Sequence, residues 1–378
     1  MEVKAILDLI DNTRLKSIGS ALNVDKKNQK ITGSFILKSF VLSILKGRPI
    51  SSRAIERLSM SNAMISKELK CKKESNRKID HSSLSKRINA IPIKYFSGIY
   101  ESLIESYEQL IPSNPQNIYR FDSTIINLSG RVINGGLQIG GKANDWQIKM
   151  TVGLRNSLPK SIRFCDTQSD SSEDIALVKA INASVIKEGD ILLFDRGISK
   201  TATYEDLESS NHKFVTRISP SRKHKVVKER KVSCASVLSD RDVNLYINKS
   251  TLSAITLRMV KMRCSDGSIV QFLTNISDLQ AQEIGALYRR RWDIEVFFRF
   301  IKQNLQFKKF LSHSISGMKV YLYCVLIAAI LFLIYKELNG LKGFKLALLD
   351  FGDMIEKEMI IDLIILAGGN PELVRYNL

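Results

Sequence analysis

Cysteine is scarce in this sequence and nowhere paired. Cys71, Cys165, Cys234, Cys264 and Cys324 lie far apart, are odd in number and form no C-x-x-C step. That argues against a disulfide framework and a structural zinc, and fits a reducing cytosol. Histidine is equally sparse: His81, His212, His224 and His313 show no ligand spacing, so solvent or polyanion-facing roles outrank metal binding and general-base catalysis. No signal peptide is expected at an N-terminus that carries Glu2 and no long apolar run. The one membrane-like segment, "VYLYCVLIAAILFLIY" (320–335), holds sixteen apolar residues between Lys319 and Lys336. A bilayer needs about 20, so a buried core helix is expected. Acids are also in deficit. Against 57 Lys+Arg stand 38 Asp+Glu, a net charge of +19, and such an excess favours a polyanionic partner, nucleic acid before an anionic membrane surface.

With 378 residues the chain is long enough for two or three domains. Residues 1–113 alternate helix-like apolar patterns with polar breaks, and Pro112 and Pro115 mark a boundary. Within this helical region "KELKCKKESNRKIDHSSLSKR" (67–87) sets eight Lys/Arg against three acids; it reads as a solvated face or as a phosphate-contacting surface. From about 117 the texture becomes β-rich. "NIYRFDSTIINL", "WQIKMTVGLR" and "SIRFCDT" read as strands, "SEDIALVKAINAS" as a helix, "DILLFDRGIS" as a buried strand, "ATYEDLESS" as a short helix and "KFVTRIS" as a strand. That order is the order of a ribonuclease-H-like α/β domain. The expected divisions are a first part of this core at 114–219, a β-rich insertion at 220–277, a second part at 278–345 and a helical tail at 346–378. The insertion carries the basic run "RKHKVVKERK" (222–231), six Lys/Arg against Glu229.

Two apolar strands each hold one acid that breaks the pattern, Asp122 in "YRFDSTIINL" and Asp195 in "ILLFDRGIS". A buried strand acid is costly unless paired or bound to a cation; the alternative is an Asp at a strand end capping the next turn. Asp166, in "FCDTQSD", already reads as loop. A third acid comes from "ALYRRRWDIEVFFRFIKQNL" (286–305), a stretch without Gly or Pro that reads as one amphipathic helix. On such a helix Tyr288, Arg291, Glu295 and Lys302 fall within about 60° of one another, beside a packing seam of Leu287, Ile294, Phe298 and Ile301. Asp293 falls well away and is expected to be solvated. Three carboxylates from two strands and a helix suit two Mg²⁺ ions, about 3.5–4 Å apart, that act on a phosphodiester. Arg291 and Lys302 would then meet the phosphates.

The spacing Tyr-x2-Arg-x3-Glu-x6-Lys at Tyr288, Arg291, Glu295 and Lys302 resembles the Y-R-E-K signature of DDE transposases of bacterial insertion sequences, more narrowly the insertion-sequence-four family. "FDST" around Asp122 and "FDRG" around Asp195 resemble that family's two Asp blocks, in the right order and with a β insertion before the Glu. The resemblance spans residues 75–335. It implies a ribonuclease-H-like mixed sheet interrupted by a β-rich insertion, behind an N-terminal helical DNA-binding region. It implies Asp122, Asp195 and Glu295 as catalytic ligands of two Mg²⁺ ions, with Mn²⁺ as a substitute, and Tyr288, Arg291 and Lys302 as contacts to transposon-end phosphates. It further implies cut-and-paste chemistry on transposon ends and target DNA by a homodimer, in the cytoplasm at the nucleoid. Trp292 either stacks on a displaced base or is a core aromatic. The departure from the family pattern is an insertion without tryptophan; Trp146 lies in an early strand.

"GGLQIGGKAND" (135–145) nearly spells a phosphate loop, but Ala143 stands where Ser or Thr must hold Mg²⁺. A hairpin turn is expected there, and no nucleotide cofactor. Two rival functions remain: a non-transposing nuclease on the same fold, and an inactive DNA-binding repressor of transposition.

Overall fold

The computed structural model describes residues 2–26, 30–47, 50–61, 69, 79–112, 118–128, 136–139, 146–232, 234–307, 312 and 314–372. Most of the basic stretch at 67–87 and of the loop at 135–145 lies outside them. The chain divides into two units, one of Met1–Pro112, Arg131–Gly135 and Arg299–Leu378, the other of Ser113–Gly130 and Gly136–Phe298.

The first unit is helical. It opens with α1 (Val3–Leu7), α2 (Asn12–Ala21), α3 (Gly33–Leu45), α4 (Ser52–Ser61), α5 (His81–Ala90) and α6 (Ile93–Leu110). Side-chain caps start four of them, Ser51 Oγ accepting from the Ala54 amide at 3.0 Å before α4. Asp11 accepts from the Thr13 and Arg14 amides, Thr32 from Phe35, and Asp80 from Ser82 and Ser83, satisfying donors that the first turn leaves free.

The second unit is built on one nine-stranded sheet. Its strands are β1 (Ile118–Asn127), β2 (Gln147–Arg155), β3 (Leu158–Phe164), β4 (Ile191–Phe194), β5 (Lys213–Arg217), β6 (His224–Glu229), β7 (Val237–Leu245), β8 (Leu257–Arg263) and β9 (Ile269–Thr274), in the spatial order β3-β2-β1-β4-β5-β9-β8-β7-β6. Among the described residues only β1, β4 and β5 run parallel to one another; the other pairings of named strands are antiparallel. The insertion is therefore no separate β-layer, because β9 joins β5 and continues the same sheet. The basic run at 222–231, which carried no strand signal, supplies the edge strand β6.

Helices α7 (Glu173–Asn182) and α8 (Thr201–Ser209) cover one face, and α9 (Ala281–Arg289) covers the other. The period-two alternation of the strands assigns the faces. Tyr119, Phe121, Leu192, Phe194 and Phe214 pack with Leu177, Ile181 and Tyr204, while Ile118, Leu193 and Val215 pack with Ile284 and Tyr288.

One expectation fails here. Residues 286–305 are two helices, α9 and α10 (Trp292–Asn304), with Arg290 and Arg291 in a turn between them. The phase of a single helix therefore does not carry from Tyr288 to Lys302. At the break the Arg290 carbonyl accepts from Arg120 Nε at 2.5 Å as well as from the Asp293 amide at 3.3 Å, a tighter i+3 turn in place of the helical i+4 bond.

After Phe298 the chain re-enters the first unit, where α10 ends and α11 (Ile315–Leu338) and α12 (Lys345–Leu366) follow. The membrane-length stretch is the core helix expected: α11 is buried from Val320 to Tyr335 and packs on α3 and α6. The rings of Phe40 and Tyr321 meet edge to face at 5.8 Å, as do those of Tyr100 and Tyr323 at 5.9 Å. Each such side chain contributes roughly 1.5–3 kcal/mol by leaving water.

Candidate active site

In register, Phe121 of β1 stands beside Phe194 of β4. Asp122, in the middle of β1, and Asp195, the first residue past β4, come next, so two acids emerge together where the pairing of two parallel strands about 5 Å apart ends. Open α/β sheets bind ligands at such ends. Both acids share the strand parity of Ile118 and Leu193 and so point to the face that α9 covers.

The turn between α9 and α10 brings the rest. Arg291, buried at that turn, sets Nη1 3.7 Å from Asp122 Oδ2 and pairs through Nη2 with Glu295 Oε1. Tyr288 stacks obliquely on Phe272 with ring centroids 5.0 Å apart and donates its hydroxyl to Asp195 Oδ1 at 2.9 Å. All three predicted acids thus meet one buried arginine–tyrosine pair. The Arg291 guanidinium also lies over the Tyr288 ring at 5.6 Å.

The two aspartates are poised differently. Burial pushes the Asp122 carboxyl up to about 6, with Glu173 and Asp195 adding to the rise against the Ser123 amide and Arg291. Burial acts on Asp195 too, but there the Arg196 amide, the Tyr288 hydroxyl and Arg291 outweigh it and hold the carboxyl below its ordinary value. Burial likewise works against the Arg291 charge, and Tyr288, Glu295 and Asp195 reverse it, leaving the guanidinium pKa raised.

Among the described residues no three His, Cys, Asp or Glu side chains form a ready-made metal cluster; the acids are turned on Arg291 and Tyr288 instead. The donor set nonetheless fits Mg²⁺. All three are hard carboxylate oxygens, and the burial that raises Asp122 is a penalty that a bound cation relieves.

The remaining predicted residues distribute unevenly. Trp292 is 51% exposed, which removes the core-aromatic alternative. Lys302 lies on α10 past Phe298, in the stretch assigned to the first unit, whereas Tyr288, Arg291 and Glu295 belong to the second. Asp293 is not merely solvated, as expected above, but bonds Arg120 Nη2 at 2.8 Å. Sequence reasoning missed Arg120 altogether. It is 1% exposed, two residues before Asp122 on the same strand face, and it also donates to the Ile118, Asn156 and Arg290 carbonyls. It ties the strand carrying Asp122 to the turn carrying Arg291. Its signal was an Arg alternating with the Asp inside an apolar strand.

Comparison with known proteins decides the family. Residues 117–331, more than half of the chain, match the family model described as transposase DDE domain. The chain belongs to that family. Its DDE domain thus runs from β1 into α11 and contains every acid above. A putative transposase, y4zB, of Sinorhizobium fredii is 30% identical over 198 residues, 51% of this chain and 54% of that one. A probable transposase for insertion sequence element IS5377 of Geobacillus stearothermophilus is 25% identical over 143 residues, 37% of this chain and 38% of that one. The chain thus spans about half, or less, of the curated relatives it matches. Among solved structures, a piggyBac transposase synaptic complex with hairpin DNA superposes with a TM-score of 0.53 at 12% identity, covering 99% of this chain and 83% of that one. At that identity the likeness is one of fold. It supports a mixed, ribonuclease-H-like α/β sheet for the DDE domain.

Proposed function

We propose that this protein is a transposase of the Y-R-E-K, insertion-sequence-four type, which binds the ends of its own element and cleaves and joins DNA strands in a cut-and-paste reaction. The observation that carries the reading is the convergence of Asp122, Asp195 and Glu295 on Arg291 and Tyr288. Family membership and a net charge of +19 support it.

Asp122, Asp195 and Glu295 would hold Mg²⁺, or Mn²⁺ in its place. The metal, when bound, would activate water or a 3′-hydroxyl and stabilise the leaving oxygen of the phosphodiester. The chain's own groups do the rest. Tyr288 keeps Asp195 ionised and oriented through its hydroxyl. Arg291 balances the acids in the metal-free protein and becomes a bidentate phosphate ligand once they are engaged elsewhere. Lys302 adds a phosphate contact, and the exposed Trp292 ring offers a stacking face to an unpaired base. The reaction would take place in the cytoplasm at the nucleoid, with two copies of the chain bridging two DNA ends.

The test is incubation of the purified protein with DNA flanking its own gene and Mg²⁺, beside a Glu295→Gln control. Metal-dependent nicks at matching inverted sequences, absent from the control, are expected. Binding without nicks in either sample would leave a repressor, and cleavage spread over unrelated DNA a general nuclease.

A further inference from the structure

The face of the sheet opposite Arg291 holds a second charged cluster. Lys149 of β2 is nearly fully buried, and its ammonium donates to the Ser171 carbonyl at 2.7 Å and to Glu173 Oε1 at 2.5 Å. The other oxygen of Glu173, Oε2, accepts from Ser123 Oγ at 3.2 Å, and that hydroxyl also meets Thr151 Oγ1 at 3.0 Å. Ser123 is the residue after Asp122, so its side chain points to the other face.

Glu173 also backs the second aspartate. A Cβ on Gly197 would lie 2.8 Å from Glu173 Cβ and Cγ, so the turn after Asp195 closes directly on the glutamate's stem. The neighbouring Asp174 accepts from the Ser199 amide at 2.8 Å and the Lys200 amide at 3.0 Å. One turn at the start of α7 therefore touches the middle of β1 through Ser123 and the loop after β4 through Gly197, Ser199 and Lys200. An exposed acid at a helix start needs only the helix dipole. The dipole does not account for a nearly fully buried lysine on that acid, because burying an ammonium is costly and is offset only by close pairing and further hydrogen bonds, here Glu173 and the Ser171 carbonyl.

We propose that Glu173, anchored by Lys149, is a positioning residue that fixes the spacing of Asp122 and Asp195 from behind the sheet. This rests on the reading of those two aspartates as metal-holding acids. Neither Glu173 nor Lys149 touches substrate or metal; both act through Ser123 and the Gly197 turn. Groups that orient metal ligands from behind typically change metal affinity 10–100-fold when removed.

The test is a titration of the full-length protein with Mn²⁺ alone, reading free Mn²⁺ by electron paramagnetic resonance, with thermal unfolding of each variant recorded alongside. Asp122→Asn is the control for the site. Glu173→Gln and Lys149→Met should each weaken Mn²⁺ binding by at least about tenfold, although one removes a negative charge and the other a positive charge. A pair acting by charge alone predicts opposite shifts, weaker for Glu173→Gln and tighter for Lys149→Met, and that result overturns the proposal. Unchanged affinity in both variants, with binding lost in Asp122→Asn, overturns it while leaving the acid site intact. Wild-type affinity in Asp122→Asn overturns the acid site and this inference with it. If a single variant does not fold, the double variant Glu173→Gln/Lys149→Met removes both charges together. Weakened binding there supports the positioning role, and wild-type affinity refutes it.

Discussion

Two buried arginines in the same sheet unit are treated in opposite ways. Arg258, in the insertion, meets Asp240 twice, at 2.9 and 2.7 Å, and donates from Nη1 to the Ile276 and Leu279 carbonyls. Both side chains of that pair are closed off, 5% and 4% exposed. Arg291 is as buried, but it is shared between two acids, keeps Asp122 only at 3.7 Å, and leaves its Nε without a partner among the described residues. Asp122 and Glu295 stay 30% and 32% exposed. A saturated pair has nothing further to bind and reads as structure. A buried arginine shared between half-open acids, one of them with its pKa pushed up, marks a candidate functional site.

The comparison breaks most sharply on activity. Asp195→Asn or Glu295→Gln should lower strand cleavage to background while the protein stays folded and binds its DNA ends; normal cleavage by either removes that acid from the site. Next comes stability. Arg258→Ala leaves a buried Asp240 unpaired and should cost about 3–5 kcal/mol in urea unfolding, against little change for Glu295→Gln. A similar loss in both would erase the distinction drawn between closed and open pairs.

A finer contrast separates the two aspartates in metal-free protein. Asp122 has a folded pKa raised from 3.8 to about 6, so its stabilising contribution is present below pH 4 and is lost as pH rises through 6. Asp122→Asn should therefore melt above wild type at pH 7.5 and gain nothing at pH 4. Asp195 is shifted down; its contribution is present above its unfolded value and is lost as pH falls through the folded one. Asp195→Asn should melt below wild type at pH 7.5, with the gap closing in acid. Melting shifts of the same sign would refute the assignment of the two environments. The smallest effect belongs to Lys302→Ala, which should reduce the salt slope of DNA-end binding by about one. An unchanged slope would take Lys302 off the DNA.

Much of this was legible in the linear chain. Strand runs with a single misplaced acid marked Asp122 and Asp195, because a carboxylate inside an apolar strand demands a reason. The strand and helix order foretold β1 to β5 and the helices between them. The sixteen-residue count of "VYLYCVLIAAILFLIY" pointed to a core helix, but α11 as a whole is long and apolar enough to cross a membrane, and it is the burial of its side chains rather than its length that makes it core. What misled was helical phase. Residues 286–305 contain no breaker, so a single helix was the natural expectation, and the break is where Arg120, some 170 positions earlier in sequence, bonds the Arg290 carbonyl. The same remote arginine explains why Asp293 is paired rather than solvated. β6 was hidden because its lysines and valines follow no core pattern; it lies at the sheet edge with one neighbour.

The sequence by itself determined which residue types are proposed for the chemistry, their order, and the alternation that sends Asp122 and Asp195 to one face of the sheet. Those are local properties, set by the period of a strand and the cost of burying charge. Tertiary structure alone decided that Tyr288 serves Asp195, that Arg291 bridges Asp122 and Glu295, and that Lys149 and Glu173 stand behind both aspartates. Each of those contacts joins segments that only the pairing of β1 with β4 and the break after α9 bring within reach, and no local pattern encodes such a distance.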